Sequence, residues 1–180
     1  MTKSVLVVVE SGFEEIELVT PVDLLRRAGA AVTLASLTGS TLVTGRCQMT
    51  LQVEIAPVEI DAAQYDLLFL PGGPGVKLMR ADGRPARWAA EFVASGKPIA
   101  ALCAAPLILL DAGLLRGRRF TAHFSTESDL PGAQRNEAVV EDGLLITSRG
   151  AGTALEFGLV LVRRLFGEEK AQEIRRAIMA

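Results

Sequence analysis

The stretch Pro98-Ile99-Ala100-Ala101-Leu102-Cys103-Ala104-Ala105-Pro106-Leu107-Ile108-Leu109-Leu110-Asp111-Ala112 decides the fold. Pro98–Leu102 is a continuous apolar run of strand length, and Pro106 is a residue that suits the first turn of a helix. Pro106–Ala112 then reads as that helix, which leaves Cys103 at a strand-to-helix turn. Ala101, Ala104 and Ala105 keep the turn small, as a sharp bend between strand and helix requires.

The same rhythm recurs on both sides. Ser4–Val9 is an apolar strand, Ser11-Gly12 a turn, and a helical pattern then lasts to about Ala28. Ala31–Ser36 repeats the strand signal. Asp66–Leu70 is a buried-strand candidate that ends in Pro71-Gly72-Gly73-Pro74-Gly75, and Arg84–Ser95 reads as a helix closed by Gly96. Arg119–Thr121 and Leu144–Thr147 read as strands, Gly150–Phe166 as a long apolar helix, and Glu168–Ile178 as an amphipathic one. Thr41–Ile55 holds two short β-like stretches around Gly45-Arg46, a hairpin or an edge excursion. Strands that are apolar on both faces and alternate with helices predict one α/β domain over residues 1–180, a mostly parallel sheet between two helix layers. Such sheets bind ligands at the carboxyl ends of their strands. Three segments end there: the turn leading to Glu14, Glu15 and Glu17, the Pro71–Gly75 loop, and the Cys103 turn.

Composition narrows the function. The chain has 180 residues, is 49% hydrophobic and carries a formal net charge of −2, so neither nucleic acid nor an anionic membrane surface is an expected partner. No apolar run approaches the ~20 residues that span a bilayer, and Met1-Thr2-Lys3 leads straight into a strand, so a cytoplasmic location is expected. Two cysteines, Cys47 and Cys103, make no disulfide framework, and the single histidine, His123, makes no zinc set. No Gly-Lys-Ser/Thr follows the glycine loop and no dinucleotide fingerprint follows the first strand, so no metal and no cofactor are expected.

Cys103 is the candidate nucleophile. A helix start beside it is expected to lower its pKa below the ~8.5 of a free thiol; the alternative is a buried, inert cysteine. Gly72 and Gly73 allow close backbone approach, and with Ala104 they offer amides for an oxyanion; otherwise they are a plain turn. Glu17 falls on a largely apolar helix face with Phe13, Thr20, Pro21 and Leu24, where an inward carboxyl would keep its proton and hydrogen-bond the sulfur. For Glu14 and Glu15, complementing the helix dipole is account enough, and it remains the alternative for Glu17. His123 is the sole imidazole available as a base, or a structural histidine. Arg27 and Arg46 are weak candidates for an anion or acidic substrate, and Cys47 reads as incidental.

Taken together, Glu14-Glu15-Ile16-Glu17 with Pro21-Val22-Asp23, Leu70-Pro71-Gly72-Gly73, Ala101-Leu102-Cys103-Ala104-Ala105-Pro106 and Thr147-Ser148-Arg149-Gly150-Ala151-Gly152-Thr153 resemble the DJ-1/ThiJ/PfpI superfamily, closest to its DJ-1 branch. The resemblance implies a flavodoxin-like three-layer α/β/α sandwich of the class I glutamine-amidotransferase-like kind, and a homodimer. It implies that Cys103 is the reactive cysteine, Glu17 the protonated glutamate bonded to it, Gly72, Gly73 and Ala104 the nearby amides, His123 the nearby histidine, and Arg27 an anion-binding residue near a dimer interface. The activity it implies is that of a cysteine-dependent glyoxalase or deglycase acting on methylglyoxal-like α-oxoaldehydes or their early adducts. Two alternatives are an oxidative-stress sensor or redox-regulated chaperone working through a Cys103 sulfinate, and a cysteine peptidase or amidase. Gly150-Ala151-Gly152 stands where relatives often carry Gly-Pro-Gly, and the extra C-terminal helix of animal members is not expected after Glu173–Ile178.

Overall fold

The computed structural model describes residues 2–53 and 61–180. Its strands are β1 (Ser4–Val8), β2 (Ala31–Ala35), β3 (Leu42–Thr44), β4 (Thr50–Gln52), β5 (Leu67–Leu70), β6 (Ile99–Leu102), β7 (Val139–Asp142) and β8 (Leu145–Ser148). The α-helices are α1 (Glu15–Arg27), α2 (Val76–Asp82), α3 (Arg84–Ala94), α4 (Pro106–Asp111), α5 (Ala154–Phe166) and α6 (Glu168–Ala177). Six strands form one sheet in the order β2-β1-β5-β6-β8-β7, parallel except for β7 at one edge. This is a flavodoxin-like α/β sandwich.

Helices cover both faces because the central strands are apolar on both. β5, β6 and β8 are buried at every position, and the core divides into two clusters, one on each side of the sheet. Phe13, Leu18 and Leu25 meet Phe69 and Phe157 on one side; Met79, Trp88, Phe92 and Ile108 lie with Leu68 and Leu70 on the other. Each such fully buried side chain contributes roughly 1.5–3 kcal/mol of transfer free energy. Where α1 crosses α5, a Cβ on Gly158 would lie 2.6 Å from Leu24 Cδ1 and 3.0 Å from Pro21 Cα, so the bare backbone sets how closely α1 approaches.

The chain leaves β1 through α1 to β2 on one side, then returns to β5 on the other. The β1/β5 boundary is therefore the switch point, where the loops after adjacent strands diverge and open a crevice. Glu17 follows β1, Gly72 and Gly73 follow β5, and Cys103 follows β6.

Three expectations change. Arg119–Thr121 is not a strand: the place beside β8 is taken by β7 through an antiparallel hairpin, and the Thr121 amide bonds instead to the Thr147 side-chain oxygen at 2.9 Å. Gly150–Phe166 is not one helix, since Ala151–Thr153 forms a 3₁₀ turn before α5 begins. Thr41–Ile55 is a hairpin, β3 with β4, separate from the main sheet; its expected positions 54 and 55 lie outside the described residues.

Candidate active site

Cys103 occupies the left-handed region, with φ of 64°, which turns its side chain out of the strand line between β6 and α4. Two backbone bonds hold it there. Its N–H donates to the Ser148 carbonyl at 2.8 Å, and its carbonyl accepts the His123 N–H at 2.9 Å. Ala101 and Ala105 beside it are fully buried.

Glu17 comes from the first turn of α1. Glu14 is the N-cap, its Oε2 accepting the Glu17 N–H at 2.8 Å, while the Glu14 N–H donates to the Gly72 carbonyl at 3.1 Å. The start of α1 is thereby joined to the loop after β5. That loop needs glycine twice: a Cβ on Gly72 would overlap Glu17 Oε2 and sit 2.6 Å from Cys103 Cβ, and Gly73, at φ of 94°, would place one 2.6 Å from Glu14 N.

Cys103 is 9% exposed and Glu17 only 1%. The Glu17 carboxyl couples to the sulfur and to the Gly72 amide, yet its Oε2 meets no donor at hydrogen-bonding geometry. Burial first, then the charge of Glu14, raise its pKa from 4.5 to about 7, against the opposing pull of Cys103, Gly72 and Arg46. The carboxyl thus holds its proton far above the usual range, as expected. The expected acidic thiol is reversed. Burial, followed by the Glu17 charge and hydrogen bond, pushes the Cys103 thiol up to about 12, and the amides of Gly73 and Ala104 recover only part of that rise. α4 has six residues and begins with a proline that carries no N–H, so its start offers the sulfur little. The two groups titrate as a coupled pair, with both members raised above their ordinary values chiefly by burial.

The other predicted residues divide. The amides of Gly73 and Ala104 face the sulfur, whereas that of Gly72 faces Glu17. His123 is backbone-tied to Cys103, but its ring pairs with Ser125, accepting the Ser125 N–H at Nδ1 (3.2 Å). That bond leaves the ring proton on Nε2, and burial, then Arg46, lower the ring pKa and keep it neutral at pH 7. No hydrogen bond joins ring and sulfur, so the Cys-His pair of a peptidase is not formed. Arg46 lies exposed in the β3–β4 turn, its N–H on the Phe13 carbonyl at 2.8 Å, and its charge reaches both Glu17 and His123. Arg27 is elsewhere: it pairs with Asp23 at 2.7 Å, ten residues beyond Glu17 and so about 15 Å along the helix.

Glu15 does more than complement a dipole. Buried at 6% exposure, its Oε1 accepts the amides of Cys47 (2.8 Å) and Met49 (3.4 Å), clamping the hairpin turn onto α1. Burial would raise its pKa, but the amides of Glu15, Cys47 and Met49 outweigh that and hold it below the usual range. Beside His123 and the exposed Phe124, a groove of about 550 Å³ runs between Arg135, Arg149 and the Gly150–Thr153 turn. Among the described residues no cluster of three or more His, Cys, Asp or Glu could hold a metal ion, and no helix is long and apolar enough to cross a membrane.

Residues 3–164 match the model of the DJ-1/PfpI family. The chain belongs to that family. Over 185 residues it is 36% identical to "Protein dj-1beta" of Drosophila melanogaster, an alignment covering 99% of this chain and 98% of the fly protein. The crystal structure of Drosophila melanogaster DJ-1beta superposes with a TM-score of 0.88 at 35% identity, covering 100% of this chain and 99% of the other. "Protein/nucleic acid deglycase 2" of Escherichia coli (strain K12) is 32% identical over 154 residues, 83% of this chain and 90% of its own. The DJ-1/PfpI family therefore includes relatives named as enzymes.

Proposed function

We propose that this protein is a cysteine-dependent glyoxalase or deglycase acting on methylglyoxal-like α-oxoaldehydes or their early adducts. The observation that carries the reading is the buried Cys103–Glu17 pair, in which the carboxyl is coupled to the sulfur and burial raises its pKa to about 7, the value suited to a general base at neutral pH. Glu17 takes the proton as sulfur adds to the aldehyde carbon, and the former carbonyl oxygen, protonated in turn, completes a hemithioacetal. Glu17 then carries the proton from the former aldehyde carbon to the neighbouring ketone carbon through an enediol. The first carbon is oxidised to a thioester and the second reduced to an alcohol, so no external oxidant is needed. Water cleaves the thioester, releases a 2-hydroxy acid and returns the thiol. His123, with its proton on Nε2, serves as donor to a substrate oxygen, and the Gly73 and Ala104 amides oppose developing negative charge. The deglycase name of the Escherichia coli relative supports this class of substrate.

A second reading, a redox sensor or redox-regulated chaperone, draws on the same amides: with a protonated Glu17 they offer donors for a Cys103 sulfinate. Turnover separates the two. An enzyme converts many equivalents of methylglyoxal to 2-hydroxy acid and loses this in Cys103→Ala and Glu17→Gln; stoichiometric oxidation without turnover would leave the sensor. We also propose a homodimer, for which the exposed apolar side chains Ile16 and Val19 on α1 and Leu155 on α5 offer a face.

A further inference from the structure

Glu14 is a buried glutamate beside the site that the mechanism does not use. It lies at the start of α1, 9% exposed, with one oxygen on the Glu17 amide at 2.8 Å and its own N–H on the Gly72 carbonyl at 3.1 Å. The loop after β5 packs closely on this backbone, since a Cβ on Gly73 would lie 2.6 Å from the Glu14 nitrogen. Its carboxyl is therefore held at a fixed place one helical turn from Glu17. A cap needs only an acceptor oxygen, which Ser, Thr, Asp or Asn supplies with a shorter side chain. The longer, charged residue thus does something that capping does not require.

We propose that Glu14 is a positioning residue of the Cys103 site: its cap bond to Glu17 and its N–H bond to the Gly72 carbonyl fix the start of α1 that carries Glu17, and its carboxylate stands one helical turn from the Glu17 carboxyl. The inference rests on the reading of Glu17 as the proton relay. The groups that bear on Glu17 are few. Cys103 faces it from the β6–α4 turn, Arg46 acts from the β3–β4 turn, and Glu14 acts from its own helix; Glu15 on the same helix is turned to the hairpin amides. Glu14 and Arg46 act on Glu17 in opposite directions. Removal of the Glu14 charge leaves burial alone to oppose Arg46 and the bonds from Cys103 and Gly72, and Glu17 becomes the weaker base.

The test is the pH profile of Cys103 alkylation by iodoacetamide in a Cys47→Ser background, where Cys103 is the only thiol. With Glu14 intact, the profile shows a rise governed by Glu17 ionisation near neutrality, absent in Glu17→Gln. In Glu14→Gln the amide oxygen still caps while the charge is gone, and the rise moves to lower pH by on the order of one unit. Glu14→Asp restores the charge and returns the rise toward its original place. Glu14→Ser, which caps through a hydroxyl, repeats the charge deletion should the glutamine variant not fold. If the protein with both glutamates intact and the Glu17→Gln protein share one profile, the relay itself is wrong. If the Glu17 step exists but stays in place in Glu14→Gln, or moves equally in Glu14→Asp, the relay stands and the role given to Glu14 is overturned.

Discussion

Gly72 lies so close to Glu17 that a single added methyl group would occupy the space of the Glu17 Oε2 atom. The glycine is thus a condition of the carboxyl reaching the sulfur at all. In Gly72→Ala either Glu17 or the loop after β5 must move, and both routes disturb Cys103, whose Cβ is the next nearest atom. Overpacking of this kind costs about 1–3 kcal/mol, and displacing a catalytic group by an ångström costs on the order of 100-fold in rate. Under the proposed function the expected result is a lower thermal midpoint with a far larger loss of methylglyoxal turnover, measured on the same preparation. Full turnover would show that the loop yields freely.

Glu17 ties stability to pH. Its folded pKa of about 7 lies above the 4.5 of the free group, so its contribution to stability is complete below about 4.5 and is lost as pH rises through 7. The shift corresponds to something on the order of 3 kcal/mol across that window. Urea unfolding near pH 5 and near pH 8.5 should show the protein weakening toward the higher pH, and Glu17→Gln should flatten that difference. Equal slopes in the two proteins would mean that Glu17 ionises freely in the folded state.

The two thiols should react in the order of their exposure. Cys47 is exposed and Cys103 buried. A bulky maleimide added in limiting amount at neutral pH is expected on Cys47, with Cys103 labelled only after unfolding, as peptide mapping by mass spectrometry would read. Labelling at Cys103 first would contradict the burial of its sulfur.

Removing the Glu15 clamp should free the hairpin without emptying the core. In Glu15→Ala the Cys47 and Met49 amides lose their acceptor. Their hydrogen exchange should quicken by on the order of tenfold or more, the equivalent of about 1–3 kcal/mol, while the amides of β5 and β6 keep their protection. A uniform increase across the sheet would point to global destabilisation instead.

Much of this was legible in the residues. Apolar runs of strand length and their closing glycines located β1, β2, β5, β6 and β8, and the Cys103, Glu17 and glycine-loop positions converge at the sheet edge where the strand-turn-helix pattern puts them. What escaped was set by side chains in space. β7 was hidden because Val139–Asp142 is short and half polar, although Asp142-Gly143 before Leu144 is a hairpin signal that could have revealed it. The failed strand at Arg119–Thr121 has a suitable composition, but its Thr121 amide is claimed by a threonine hydroxyl from the neighbouring strand. The thiol pKa was misjudged because the helix start is local and visible in sequence, whereas burial and the charge of Glu17 arrive from other elements. Glu15 looked like dipole complement for the same reason: the amides it accepts lie 32 and 34 positions away.

The backbone of Cys103 has a consequence for how the site is maintained. A side chain at φ of 64° sits in a region that glycine enters without penalty and other residues enter at a cost of about 1–2 kcal/mol. Of two variants that both lack sulfur, Cys103→Gly should therefore relieve conformational tension that Cys103→Ala retains. The fold holds this sulfur in place at an expense in stability, and the backbone bonds to Ser148 and from His123 oppose relaxation into a different turn.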